Sequence, residues 1–417
     1  METPDRSGRA IPSEPAEKSE LSERNAVRAA LAARLSLRTA DAPTTVLGAG
    51  SDDLGAGYAY LTALADGGWA VPTWPVEHGG MGATGDRLAM VQQELARFAT
   101  PDLYPFLVGL ALVGPTLLEH GTDGQRARWL PTIKNGEEIW CQLFSEPDAG
   151  SDLAGLATRA TADGDGWVVD GQKVWTSRGH YARRGLLLAR TDPTAPKHAG
   201  ITAFGLDLHV PGVEVRPLRQ MNGDTHFTEV FLTGVRIPDH DRIGPVDGGW
   251  RVALTTLAHE RGGIASPGGA WLDEGRLVAL ARDLGLAADP LVRQRLARVI
   301  IELRVASLTS RRARARARVG RPGPEGSGLK LRASAAFRDF TDAAMALLGP
   351  RAVAGPDAID GEWQTLFLTA PSLSIRGGTD EIQRNIVGEH VLGLASEPRV
   401  DRDLPFDQLP KTGRGSR

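Results

Sequence analysis

Two stretches of the 417-residue chain carry residue types that could hold a ligand and act on it. The first is Gln142-Leu-Phe-Ser-Glu-Pro-Asp-Ala-Gly-Ser-Asp-Leu-Ala-Gly155, which follows an apolar segment and runs into an alternating pattern near Ala157. Pro147, Gly150 and Gly155 forbid a helix here, so the stretch predicts a strand that opens into a broad turn. A turn carrying Ser145, Ser151 and free backbone N–H groups can wrap a polar, planar ligand. The second stretch is Gly377-Gly378-Thr379, directly before a helical segment starting at Asp380. A helix start offers free N–H groups and a favourable dipole, a place for an anionic group. Thr379 also suits the N-cap. His180, His226 and His259 show no spacing that makes a metal site, and none is expected. The alternating arginines from Arg311 to Arg318 lack interleaved aromatics, so they read as a solvated helix end, not as a nucleic-acid surface.

Three kinds of element must position these stretches. Residues 21–37, 58–64, 87–98, 107–120 and 125–133 have helical apolar spacing, with Val27, Ala30, Leu31 and Leu35 in the first. The middle third changes period. Residues 167–176 contain Asp170-Gly171 between two alternating runs, which predicts a hairpin. Residues 185–190, 201–208, 213–218 and 229–238 continue the alternation, which argues for an antiparallel β-sandwich or barrel. From residue 248 helices return over 250–261, 277–284, 290–319, 328–348 and 380–392, with Pro322-Gly-Pro324 as a break. Long helices with short breakers predict an antiparallel four-helix bundle. The expected class is therefore α+β multidomain: a helical domain over 22–138, a central β domain over 139–247 and a helical bundle over 248–396. Residues 1–21 and 397–417 read as flexible tails.

Composition removes several function classes. A net charge of −3 gives no bias toward nucleic acid or an anionic membrane. No apolar run reaches membrane-span length, and the polar first residues lack the apolar core of a secretory signal. Cys141 is the single cysteine, so an intrachain disulfide is impossible. That usage is compatible with a reducing compartment, and cytoplasmic is the expected location.

Four motifs in order resemble the acyl-CoA dehydrogenase family. They are Gly68-Trp-Ala-Val-Pro-Thr-Trp-Pro-Val-Glu-His-Gly-Gly-Met-Gly82, the loop 142–155, Lys173-Val-Trp-Thr-Ser177 and Gly377-Gly-Thr-Asp-Glu-Ile-Gln-Arg384; the resemblance covers residues 25–396. It implies a flavoenzyme of lipid metabolism that removes a proton from Cα and a hydride from Cβ of an acyl thioester. It also implies FAD as the acceptor. Matching positions place Gln142, Phe144, Ser145, Gly150, Ser151, Trp175, Ser177, Thr379 and Glu381 at the flavin, with Trp175 covering one face. Ser151, Arg261 and Gly377 match positions near the substrate.

The sequence departs from the family pattern at the base. Many members have the catalytic glutamate at the position of Gly377. A minority, of the isovaleryl and long-chain type, place it in a Leu-x-x-Glu-Arg segment, which Leu257-Ala-His-Glu260-Arg261 fits. Glu260 is the expected general base. The usual Arg-x-x-Phe-Gly segment survives only as Arg282-Asp-Leu-Gly285, and the Gly-rich segment near Leu348-Gly-Pro350 is altered. Arg178, Arg183 and Arg184 stand where members of the family more often have small, acidic or aromatic residues, and Arg376 at a spot usually uncharged, so one or more could meet a substrate carboxylate or phosphate. The implied partners are acyl-CoA or an acyl carrier protein, an electron-transfer flavoprotein, and further copies in a homotetramer or dimer. A carrier-protein dehydrogenase, an oxidase or monooxygenase on the same fold, and a partner-dependent subunit of a heteromer are the alternatives. No nucleic acid and no membrane partner is expected.

Overall fold

The computed structural model describes residues 14–39, 53–263, 272–318, 325–354, 361–396, 398 and 401–409. Within these the chain forms two compact units; residues 53–103 lie in the first, and 104–133 and 137–263 in the second.

In the first unit, α1 (Glu14–Ala32), α2 (Leu54–Ala65) and α3 (Gly85–Leu95) enclose Val27, Leu31, Tyr60, Leu64, Met90 and Val91. Glu94 of α3 is buried and receives Arg28 at 2.8 and 2.9 Å, so a charged clasp sets α1 against α3. α1 begins within the segment read as a tail: Pro15 suits the first turn of a helix, and Ala16, Glu17, Lys18 and Glu20 are good helix formers. The loop 68–82 is ordered by backbone contacts: a Cβ on Gly80 would lie 2.1 Å from the Trp74 carbonyl oxygen.

The second unit begins with α4 (Tyr104–Leu107), a π-turn at Val108–Val113, α5 (Gly114–His120) and α6 (Asp123–Lys134). Its sheet comprises β1 (Trp140–Leu143), β2 (Arg159–Asp163), β3 (Gly166–Ser177), β4 (Arg184–Arg190), β5 (Ile201–Asp207), β6 (Val213–Leu218), β7 (Phe227–Pro238) and β8 (Arg242–Ile243). The order is β6-β7-β3-β2-β4-β5-β8, with β1 alongside β4. Most pairings are antiparallel, as the alternation implied, but β1 and β2 each pair with β4 in parallel. Leu186, Leu187, Leu188 and Ala189 of β4 are all fully buried, which fits a strand covered on both faces.

One sequence expectation fails here. Asp170-Gly171 makes no hairpin; it lies inside β3, and the reversal comes earlier, where Asp163 pairs with Gly166 around Gly164 at φ 63°. Gly171 serves close approach, since a Cβ there would lie 2.4 Å from the Thr158 hydroxyl oxygen.

The helical end comprises α7 (Gly249–Gly263), α8 (Glu274–Asp283), α9 (Pro290–Arg318), α10 (Glu325–Leu348), α11 (Glu362–Leu373) and α12 (Asp380–His390). Leu280, Val299, Phe337, Phe340, Trp363 and Leu366 from α8–α11 share one core. α11 has no counterpart in the sequence reading. Pro371 inside it, with Thr365 and Thr369, weakens its propensity signal, and burial of Trp363 and Leu366 overrides that. The Pro322-Gly-Pro324 break lies outside the described residues. Residues 401–409, read as tail, are anchored instead: Lys197 pairs with Asp401 at 2.8 Å, and Arg190 stacks 3.8 Å from the Phe406 ring. No helix among the described residues is long and apolar enough to cross a membrane.

Candidate functional site

The loop after β1 is held from beneath by buried charge. The Lys173 ammonium, fully buried, donates to Glu146 Oε1 at 2.7 Å and to the Phe144 carbonyl at 3.1 Å. Glu146 also accepts from the N–H groups of Ala157 and Thr158, at 2.7 and 3.0 Å. Arg190 donates to the Ala154 and Leu156 carbonyls, which fastens the loop's far end; burial lowers its pKa to about 10. Inside a low-dielectric core such a buried hydrogen-bonded network fixes geometry. Sequence reasoning missed it, although Glu146 and Lys173 both lie in the quoted motifs. The available signal was a lysine on the inward register of a strand.

Burial would raise the Glu146 pKa, but the Lys173 charge and the hydrogen bonds outweigh it and the net shift is downward. A carboxylate depressed in the fold contributes stability above its unfolded value near 4.5, and loses it as pH falls through the folded value. Below pH 4.5 the stability gap between wild type and Glu146→Gln should therefore narrow. Urea midpoints measured across that range check this; a gap constant with pH would contradict it.

β3 presents its chemistry through a bulge. Lys173 pairs with Val230 and Thr176 with Thr228, so Val174 and Trp175 together face Glu229 alone. Trp175 takes φ 58°, uncommon for a non-glycine residue, and its indole is 56% exposed while packing edge-on to Phe227 at 5.8 Å. The bulge lets consecutive Lys173 and Val174 both be buried and leaves the Trp175 indole exposed. Ser145 sits beside it, joined by the Val174 N–H to Ser145 carbonyl bond at 2.9 Å. Among the described residues neither the Ser145 nor the Ser177 hydroxyl makes a hydrogen bond. An exposed indole with two uncommitted hydroxyls suits a planar, polar-edged ring. Gln142 on β1 is half-buried, the Phe144 ring is buried, and Gly150 and Ser151 are exposed on the loop.

A second cluster forms where α7 meets the turn before α12. Gly377 and Gly378 take φ 66° and 85°. An ideal Cβ on Gly377 would lie 3.6 Å from Glu260 Oε1, so the α7 carboxylate fills the space into which a side chain at 377 would project. Glu260 is half-buried. Gln383 donates to the Gly377 carbonyl at 3.1 Å, which braces the turn. Among the described residues the N–H groups of Gly377, Gly378 and Thr379 make no hydrogen bond and can donate to a ligand. Thr379 caps α12, accepting from the Ile382 N–H at 3.2 Å. Glu381 is exposed and pairs with Arg384. The Arg261 side chain lies outside the described residues. Arg282 is exposed, and Arg282-Asp-Leu-Gly285 forms the end of α8, where the Gly285 N–H meets the Arg282 carbonyl at 2.9 Å.

Three family models match the chain: the acyl-CoA dehydrogenase N-terminal domain over residues 25–137, its middle domain over 141–235 and its C-terminal domain over 247–392. The chain is similar to the acyl-CoA dehydrogenase IpdE1 of Mycobacterium tuberculosis, 40% identical over 344 residues, covering 82% of this chain and 89% of that one. It is also similar to the acyl-CoA dehydrogenase FadE34 of the same organism, 42% identical over 335 residues, covering 80% of this chain and 45% of that longer one. Among solved structures it resembles a chain of the Tcur3481-Tcur3483 steroid ACAD, with TM-score 0.75 and 30% identity, covering 91% of this chain and 98% of that one.

Proposed function

We propose, for a chain that belongs to the acyl-CoA dehydrogenase family of flavin-dependent oxidoreductases, that it binds FAD and introduces an α,β double bond into an acyl-CoA thioester, with Glu260 as general base. The carrying observation is the 3.6 Å approach of the Glu260 carboxylate to the side-chain space of Gly377. The usual base position is empty of a side chain, and another carboxylate reaches it from α7. Glu260 takes the Cα proton. That proton becomes acidic only when the thioester carbonyl is polarised, and the Gly377 N–H is the chain's donor for its oxygen. Bound FAD supplies the acceptor for the Cβ hydride. Trp175 stacks on the ring, Ser145 and Ser177 meet its polar edge with Gln142 and the Phe144 backbone behind them, and the loop of Gly150 and Ser151 borders the substrate arm. Thr379 and Glu381 lie toward the dinucleotide, and Arg261 toward CoA. The segments 22–138, 139–247 and 248–396 are the corresponding domains.

The same reading gives an electron-transfer flavoprotein as acceptor, a cytoplasmic location and an oligomer, homotetrameric or dimeric. A heteromer is the second reading, favoured by the reduction of Arg282-Asp-Leu-Gly285 to a helix terminus and by the two-component name of the Tcur3481-Tcur3483 steroid ACAD. Flavin carried by the chain expressed alone supports the first; flavin retained only with a related partner chain supports the second.

The reaction is tested by incubating the holoenzyme with acyl-CoA thioesters and an artificial electron acceptor. A product lighter by a pair of hydrogens is expected, and thioesters recovered unchanged would refute the reading. Trp175→Ala is expected to weaken flavin binding by about 1–3 kcal/mol, the range for stacking a planar base on an aromatic side chain. Flavin dissociation measured by fluorescence checks it; unchanged affinity would remove Trp175 from the cofactor site.

A further inference from the structure

The four arginines Arg178, Arg183, Arg184 and Arg376 divide cleanly. Arg183 donates to Asp207 at 2.6 Å and contacts His209 at 2.7 Å. Arg184 donates to Glu138 at 3.0 Å. Both are committed within the fold. Arg178 is buried beneath Tyr104, its guanidinium 5.1 Å from the ring centre.

Arg376 is different. It directly precedes Gly377, so its Cα lies about 3.8 Å from that of the residue abutting Glu260. Its side chain is half-buried, yet among the described residues its guanidinium makes no hydrogen bond and no ion pair. Burial lowers its pKa, an effect that the neighbouring Tyr104 offsets only in part. Asp380, four positions on, does not serve it: that carboxylate is taken by Lys330 at 3.2 Å and by Arg338 at 3.6 Å, and the Lys330 and Arg376 charges repel. A guanidinium withdrawn from water and given no anion by its own chain is arranged to receive one.

We propose that Arg376 binds an oxyanion carried by the acyl portion of the substrate, so that the preferred thioester is that of an acid bearing a second carboxylate. This rests on the acyl-thioester reading above. The placement favours the acyl group over the phosphates of CoA, because Arg376 adjoins the turn that meets the base, whereas those phosphates lie a pantetheine arm away from the reacting carbons. A planar fork matches a carboxylate bidentately, which gives orientation as well as affinity.

The test compares kcat/KM of the holoenzyme for two CoA thioesters of equal chain length, one ending in a methyl group and one in a carboxylate. Wild type should favour the carboxylated thioester, and Arg376→Gln should lower that preference by on the order of 10²-fold. Arg376→Lys should retain part of it, since an ammonium supplies charge without the fork. Flavin content, measured in parallel, should stay at the wild-type level. Equal losses on both thioesters would place Arg376 on CoA and overturn the proposal. Loss of flavin would place it on a cofactor phosphate and also overturn it. A wild type that turns over both thioesters equally refutes this inference alone, while one that turns over neither refutes the acyl-thioester reading with it.

Discussion

Glu260→Gln should slow reduction of the bound flavin by an acyl thioester by about 10³-fold, within the range for losing a positioned general base. The amide keeps the volume and polarity of the carboxylate but cannot take a proton. Flavin content and thioester affinity should hold, because Glu260 lies on α7 and contributes nothing to the Trp175 bulge of β3. The 3.6 Å distance to the Gly377 side-chain space makes a second arm available. The double variant Glu260→Gln with Gly377→Glu should regain part of the rate, since a carboxylate from 377 would enter the same space. Recovery should be incomplete: a side chain at φ 66° is strained by about 1–2 kcal/mol. Stopped-flow bleaching of the oxidised flavin measures both. A single variant as fast as wild type would remove Glu260 from the chemistry.

Lys173→Met should lower stability by about 3–5 kcal/mol, the cost of leaving a buried charge without its counter-ion. The Lys173 side chain is fully buried and Glu146 nearly so, and the orphaned carboxylate would keep the Ala157 and Thr158 N–H groups as partners but lose its counter-ion. Since that loop carries Ser145 and joins β3 at Val174, flavin affinity should fall together with stability. Adding Glu146→Gln should restore a large part of the loss, because paired residues in one network are not additive. Urea unfolding of the three variants separates these outcomes. Equal and additive losses would mean that the ion pair is not the loop's anchor.

Much of this arrangement was legible in the sequence because its signals are local. Loop punctuation by Pro147, Gly150 and Gly155, the change of period near residue 157 and the long helical spacing after residue 248 each follow from backbone chemistry. The resemblance carried the family and its flavin dependence, and the departure at Gly377 drew attention to Glu260, whose carboxylate the fold brings within 3.6 Å of the Gly377 side-chain space. What stayed hidden depends on contacts far apart in the chain. Asp170-Gly171 looks like a hairpin turn by composition, and only the approach of Thr158 shows why glycine stands there. Glu146 and Lys173 are ordinary charged residues until 27 residues of separation close into a buried bond. The bulge that turns out Trp175 is set by register against β7, which a single strand does not encode. α11 is hidden in the same way, since it forms around Pro371 because Trp363 and Leu366 complete a core supplied by α8–α10.

Anaerobic absorbance titration of the purified holoenzyme with a panel of acyl-CoA thioesters is the decisive measurement. The expected result is a yellow protein whose oxidised-flavin band is bleached stoichiometrically by at least one thioester, most readily by one bearing a second carboxylate. A flavin-loaded protein that no thioester bleaches would contradict it.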